Sequence, residues 1–180
     1  MVLAREEVRS VLRCIDNLKH RAILTTIYSG GLRVSEATHL KPSDIDSKRM
    51  MIWVQGGKGN RDRYTLLGKH TLGILREYWK AYQPTEWLFP GQEPKKPITT
   101  STVNRVFKAS LYRAGIRKKA SVHTLRHSFA THLLESGTDL YYIQRLLGHR
   151  SASTTSIYLH ITGKDLCKIK SPIDLIEAGS

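Results

Sequence analysis

Acidic residues, cysteine and long apolar runs are all scarce in this chain. Its longest clearly apolar run, Met50 to Val54, falls far short of the ~20 residues that a bilayer span requires, so no membrane-crossing helix is expected. The N-terminal residues contain no apolar stretch of signal-peptide type. The cysteines are Cys14 and Cys167. They lack metal-ligand spacing and read as free thiols in a reducing cytosol, so the expected location is cytoplasmic. There is no internal repeat and no low-complexity segment. The glycine-rich Gly56-Gly57-Lys58-Gly59 lacks the Gly-x4-Gly-Lys-Ser/Thr spacing of a phosphate-binding P-loop. No bound cofactor or metal is expected.

The shortage of acid is the first functional clue. Asp+Glu total 15 against 29 Lys+Arg, a formal net charge of +14 over 180 residues. Self-repulsion on that scale points to a polyanionic partner, and nucleic acid is the leading candidate. A merely basic or ribosome-associated protein would share the composition. An anionic membrane surface fits less well, because the cations are spread along the whole chain rather than along one amphipathic face. With 40% apolar residues, the length suits one domain with a real core.

Hydrophobic spacing predicts a mainly α fold with a small antiparallel three-stranded sheet. Val8, Val11, Leu12, Ile15 and Leu18 recur at helical intervals, so a first helix is expected from about Ala4. A second is expected over Ala22–Ser29, stopped by Gly30-Gly31, and a short third over Arg33–Leu40, ended by Pro42. The period then changes. Ile45, Met51–Val54 and Tyr64–Leu67 are β-favouring and are separated by polar or glycine-rich turns. Helices resume with Leu72, Leu75, Tyr78, Trp79 and Tyr82 on one face, and again with Val103, Val106, Phe107, Leu111 and Ala114. Gln83–Thr99, which holds Pro84, Pro90, Pro94 and Pro97, reads as a connection. Thr124–Ser136 and Asp139–Leu147 are expected helices, each closed by glycine. Ser151–Leu159 and Lys164–Lys168 are expected to be short helical pieces. Trp53 and Trp79 are assigned to the core.

A chain that breaks a phosphodiester needs a nucleophile, fixed positive charge against the non-bridging oxygens and an acid for the leaving oxygen. Arginine suits the second task, because its planar fork grips phosphate and stays protonated. Tyrosine suits the first, since it can hold the bond energy as a phosphotyrosine ester. Arg33 follows a Gly-Gly break in Tyr28-Ser-Gly-Gly-Leu-Arg-Val-Ser-Glu36, which places it at a helix N-terminus. His123 and Arg126 stand at i, i+3 in His-Thr-Leu-Arg-His-Ser-Phe-Ala-Thr-His132, on one helix face. His149 follows Leu-Leu-Gly. Tyr158 lies further on in Ser-Ile-Tyr-Leu-His160. Lys58 is expected at a glycine-rich hairpin tip.

In this order and spacing, Gly-Leu-Arg33-Val-Ser-Glu, Gly-Lys58-Gly-Asn-Arg, His123-Thr-Leu-Arg126-His-Ser-Phe-Ala-Thr-His, Leu-Leu-Gly-His149 and Tyr158-Leu-His resemble the tyrosine recombinases, also called λ-integrase-like or Xer-like site-specific recombinases. The resemblance runs from about Leu3 to Ile161. It implies that Tyr158 is the nucleophile, that Arg33 and Arg126 clamp the scissile phosphate, and that Lys58 is the general acid. It further implies that His123 assists proton transfer, that His149 bonds a phosphate oxygen and that Glu36 orients the site. It implies a catalytic domain over 1–162, with a tail over 163–180 that packs on a neighbouring subunit or on its own domain. The family's additional N-terminal DNA-clamping domain is expected to be absent from this chain. Recombination in the family uses four subunits on two DNA duplexes, so double-stranded DNA and a homotetramer are the expected partners. The strand after Lys58 departs from the family's Val-Pro-Leu pattern and reads Arg-Tyr-Thr-Leu-Leu, so Arg61 or Arg63 could share the role of Lys58. Arg61, Arg63, Arg105, Lys108, Arg145 and Arg150 are expected to face DNA by sequence neighbourhood alone.

Each element has a plainer reading. A lone tyrosine is most often a packing residue, and Arg33 alone would more often bridge to Glu36. His123 and His127 share metal-like spacing, but the pattern lacks a glutamate after the first histidine and places a cation between them. His127 and His132 read as packing or hydrogen-bonding residues. Asp139–Ile161 has a helix–turn–helix look, so a non-catalytic DNA-binding regulator is one alternative. A type IB topoisomerase-like nicking-closing enzyme is another. The basic composition predicts that DNA binding weakens steeply as salt rises, through release of counterions from phosphates. A fluorescence-anisotropy titration over a range of salt checks it, and a flat response would exclude a phosphate-tracking surface.

Overall fold

The computed structural model describes residues 1–56, 62–148 and 168–177. The element at its centre is α2 (Leu18–Gly30), whose residues from Ala22 onward are all buried. Helices α1 (Arg5–Arg13), α3 (Val34–Thr38), α4 (Lys69–Tyr82), α5 (Thr100–Arg113), α6 (Val122–Glu135) and α8 (Pro172–Glu177) pack around it. Its first turn, residues 18–21, is half-buried and holds the charged residues; beyond it no face meets water, and the residues are apolar or small and uncharged. Ile23, Leu24 and Ile27 are at most 1% exposed, and burying each stabilises the fold by about 1.5–3 kcal/mol.

The boundary between α1 and α2 differs from the periodic reading. The spacing from Val8 to Leu18 suggests one helix, but α1 stops at Arg13 and a turn through Cys14 carries Ile15 into the core. Helix α2 restarts at Leu18 behind Asn17, whose side chain accepts the His20 N–H at 3.0 Å. Asparagine at an N-cap satisfies a donor that the helix itself cannot, and here it outweighs the continuing period.

The sheet follows expectation. Strands β1 (Ile45–Asp46), β2 (Met51–Val54) and β3 (Arg63–Leu66) pair antiparallel in the order β1-β2-β3. The β2–β3 register sets Trp53 opposite Tyr64 and Val54 opposite Arg63. The Trp53 and Tyr64 rings meet at a tilt across the strands, their centres 4.6 Å apart, and Trp53 is half-buried at the sheet surface rather than in the core. Trp79 is a clearer correction, at 46% exposed. The buried stripe of α4 is Thr71, Leu72, Ile74, Leu75 and Tyr78, and Trp79 lies one residue past its edge. The proline-rich stretch after α4 is a connection, pinned by one bridge between Pro90 and Pro97.

Helix α7 (Leu140–Leu147) follows α6, capped by Asp139 and closed by Gly148 in a left-handed conformation. The expected helical pieces over Ser151–Leu159 and Lys164–Lys168 fall on or run into residues outside the described set. The last described segment docks on its own domain. Ile173 is fully buried, and Ser171 Oγ donates to the Ser29 carbonyl at 3.0 Å. The Asp174 carboxylate accepts the backbone N–H groups of Lys69 and His70 at 3.0 Å each. It thereby caps α4, whose own N-cap, Gly68, has no side chain to do so. A side chain at Gly68 would crowd Ile173 and Asp174, so the glycine leaves room for a cap from a distant segment.

Asp174→Ala should therefore lower the stability of the free chain by about 1 kcal/mol, the usual worth of an N-cap. Urea denaturation of dilute protein checks it. An unchanged midpoint would show that this segment does not rest on its own α4 in solution.

Candidate active site

The arrangement begins at the break that ends α2. Gly31 has φ +61°, and a Cβ there would clash with the Phe129 ring, 2.4 Å from its nearest carbon. Only glycine suits both the backbone and the packing at that position. Two residues later the chain enters α3, with Arg33 at its N-cap as the motif predicted. Glu36, one turn on, reaches back. Its carboxylate accepts the Arg33 backbone N–H at 2.8 Å and the Arg33 Nη1 at 2.9 Å.

Two further arginines meet the same carboxylate. Arg63 comes from β3 and binds it with both ends of its fork, Nη1 to Oε1 at 2.8 Å and Nη2 to Oε2 at 2.9 Å. Its Nε donates to the Leu146 carbonyl of α7 at 2.7 Å. Arg126 comes from α6, with Nη1 3.7 Å from Glu36 Oε2. It donates to the carbonyls of Gly31 at 2.6 Å and Leu147 at 2.7 Å. The side chains of Glu36, Arg63 and Arg126 are each only 8% exposed, whereas that of Arg33 is 36% exposed. Among the described residues, three guanidinium groups thus converge on one carboxylate, and the cluster carries an excess of positive charge.

Burial by itself would raise the Glu36 carboxyl. The Arg63 hydrogen bonds and charge, the Arg33 amide and the Arg126 charge outweigh it and hold the group below the usual carboxylate range. Arg126 is pulled down to about 10, by burial first and then by the Arg33 charge, and it stays cationic at neutral pH. Two like charges held this close in a partly dry setting favour an anionic ligand between them.

The structure brings Arg33 and Arg126 together, as expected, and corrects one assignment. Arg63 does not face DNA: its guanidinium is buried and fully engaged with Glu36 and Leu146. Its neighbour Tyr64 points outward instead, because alternate residues of a strand take opposite faces. His123 is exposed in the first turn of α6, three residues before Arg126. Arg105, Lys108 and Arg145 are exposed. Lys108 lines an open cavity of about 770 Å³ with Arg117, Lys118 and Lys119, at the turn leading into α6. Lys58, Arg61, His149, Arg150 and Tyr158 lie outside the described residues. His132 is buried, its Nδ1 2.8 Å from the Tyr28 hydroxyl, in keeping with its reading as a hydrogen-bonding residue. Among the described residues, no group of three or more His, Cys, Asp or Glu side chains could hold a metal ion. The sequence reading missed the carbonyls of Gly31, Leu146 and Leu147, which grip the arginines. Backbone acceptors leave no trace in residue identity, and the glycines beside them are their only signal.

Glu36→Gln should destabilise the fold at neutral pH by about 3–5 kcal/mol, since it leaves buried cations without their counter-charge. The Glu36 carboxyl is lowered from 4.5 in the folded chain. Its contribution is therefore complete above that value and is lost as pH falls through the lowered one. Denaturant melts of both proteins at neutral and acid pH check this. A stability gap as wide in acid as at neutral pH would show that charge is not its cause.

Residues 1–164 match the model of the phage integrase family. A Sinorhizobium fredii protein carrying the provisional name integrase/recombinase y4qK is 48% identical over 98% of this chain and 57% of its own length. Tyrosine recombinase XerA of Thermococcus onnurineus is 42% identical over 97% of this chain and 63% of its own length. The chain thus spans about three-fifths of the length of these relatives. Among solved structures, that of XerA recombinase superposes with a TM-score of 0.78 at 32% identity, covering 92% of this chain and 61% of that one. The post-cleavage complex of XerH with its palindromic difH substrate gives 0.74 at 28%, covering 84% and 47%. With the arginine cluster on this fold, and the family match over nearly its whole length, the chain belongs to the phage integrase family and has the fold of a tyrosine recombinase catalytic domain.

Proposed function

We propose that this chain cleaves and rejoins double-stranded DNA at specific sites through a 3′-phosphotyrosine intermediate formed by Tyr158. The convergence of Arg33 and Arg126 on Glu36 carries the reading. A phosphodiester approaching Arg33, the open side of the cluster, would meet two cations already fixed by protein acceptors. Charge that is in place before the reaction favours the transition state, in which negative charge builds on the non-bridging oxygens. XerH, a related structure, was captured on DNA after cleavage, which supports the same chemistry here.

The step balances as follows. The Tyr158 oxygen attacks phosphorus and gives up its proton, for which the exposed His123 is the candidate acceptor. The bond from phosphorus to the 5′-oxygen breaks, and Lys58 supplies that oxygen with a proton. His149 adds a hydrogen bond to a phosphate oxygen. Attack by a 5′-hydroxyl of another strand on the phosphotyrosine reverses the sequence and joins the new strand. The ester stores the bond energy, so no nucleotide is consumed. Arg105, Lys108, Arg145, Arg61 and Arg150 would track the flanking backbone, and the basic shelf of Arg117, Lys118 and Lys119 extends that surface. Recombination would proceed as a tetramer on two duplexes, in the cytoplasm. A non-catalytic helix–turn–helix regulator has no use for the buried arginine cluster, and nothing in the structure favours it.

Incubation with nicked suicide duplexes of randomised sequence should give an SDS-resistant protein–DNA adduct, in EDTA as well as without it. Peptide mapping should place the link on Tyr158. Tyr158→Phe should abolish the adduct while binding DNA as before. An undiminished adduct from Tyr158→Phe would refute the assignment.

A further inference from the structure

We propose that Arg63 is a positioning residue for DNA cleavage, one that occupies the Glu36 carboxylate so that Arg126 keeps its charge for the phosphate. The assignment rests on the recombinase reading above. Arg63 makes a bidentate pair with Glu36 at 2.8 and 2.9 Å, whereas Arg126 stays 3.7 Å from the same carboxylate. Both carboxylate oxygens are thus taken by the Arg63 fork, one of them shared with the Arg33 side chain, and neither is in hydrogen-bond range of Arg126. Without Arg63, the buried anion, already paired with Arg33, would turn to Arg126 for further compensation. The positive potential of Arg126 would then be spent inside the protein rather than on the ligand.

The other contacts of Arg63 point the same way. Its Nε holds the Leu146 carbonyl at 2.7 Å, next to the Leu147 carbonyl that holds Arg126 at 2.7 Å. Gly148 lies against the same side chain, and a Cβ there would sit 3.0 Å from Arg63 Cδ. Arg63 also begins β3, shortly after Lys58 in the chain. One guanidinium therefore ties the segment that carries Arg33 to the end of α7, whose Leu147 carbonyl holds Arg126, and abuts the segments that lead to Lys58 and His149. Lysine cannot replace it fully, because a single ammonium cannot bond both carboxylate oxygens and a carbonyl in one plane.

Arg63→Lys, Arg63→Met and the double variant Glu36→Gln/Arg63→Met distinguish a positioning role from a structural one. Each is measured for thermal stability, DNA affinity and the single-turnover rate of adduct formation on the randomised suicide duplexes at saturating protein. The expected result for Arg63→Met is a cleavage rate lower by about tenfold to a hundredfold, with DNA affinity within about threefold because the site's phosphate contacts are few among many. Arg63→Lys should fall between it and wild type. The double variant should cleave faster than Arg63→Met, because the anion that neutralises the clamp is gone. Bound DNA cleaved at the wild-type rate by Arg63→Lys and Arg63→Met, whatever their stability, overturns the assignment. So does a double variant no faster than Arg63→Met. Should Arg63→Met not fold, Arg63→Lys decides: reduced cleavage on undiminished binding supports the role, and wild-type cleavage overturns it. Absence of an adduct from the wild-type chain would instead overturn the recombinase reading itself.

Discussion

The Glu36 carboxylate and the guanidinium groups gathered on it are the constraint on which the rest of the site depends. A carboxylate that is 8% exposed is tolerated only where its charge and lone pairs are met. Here they are met from β3, from α6 and from the first turn of its own helix. Such clusters add little net stability, because desolvation offsets most of the attraction. What they do add is a set of cations fixed before any ligand arrives, at positions that water alone would not hold.

The scaffold exists to bring those elements to one place. Helix α2 is wrapped on all sides, and its C-terminal break presents the Gly31 carbonyl to Arg126. Helix α7 ends at the same point and presents Leu146 and Leu147 to Arg63 and Arg126. Carbonyls at helix C-termini lack intrahelical partners, and they carry the negative end of the helix dipole. Both make them good seats for guanidinium groups. The remote edge of the domain uses the opposite polarity: the Asp174 carboxylate sits on the N–H groups that open α4.

The arginines of the cluster differ in their partners rather than in chemistry. Arg33 is the half-open one and can meet a ligand directly. Arg126 is buried but aimed past Glu36 by two carbonyls. Arg63 is spent on the carboxylate. Identical side chains are thereby set apart by the acceptors that each fork meets.

Much of this was legible in the residues. Helical and strand periods gave the mainly α fold and the three-stranded sheet. The Gly-Gly-Leu-Arg and His-x-x-Arg motifs placed Arg33 at a helix start and Arg126 on a helix. These features are local: glycine, caps and alternation act within a few residues of chain. Where the reading slipped, the deciding term was long-range. Trp79 lies one residue from the buried stripe of α4, and only the neighbouring elements define where that stripe ends. The period from Val8 to Leu18 ran on past Cys14, but Asn17 and the packing of Ile15 broke it. Arg63 looked like any surface cation in a basic strand. Its strand position alone could not say which face is buried, and its partners Glu36 and Leu146 lie 27 and 83 residues away in sequence. The sequence by itself therefore determined the elements, the family and the places of Arg33 and Arg126 on their helices. Tertiary structure alone decided which arginine is consumed by the buried carboxylate, because only folding brings opposite charges and carbonyls from distant segments into hydrogen-bond range.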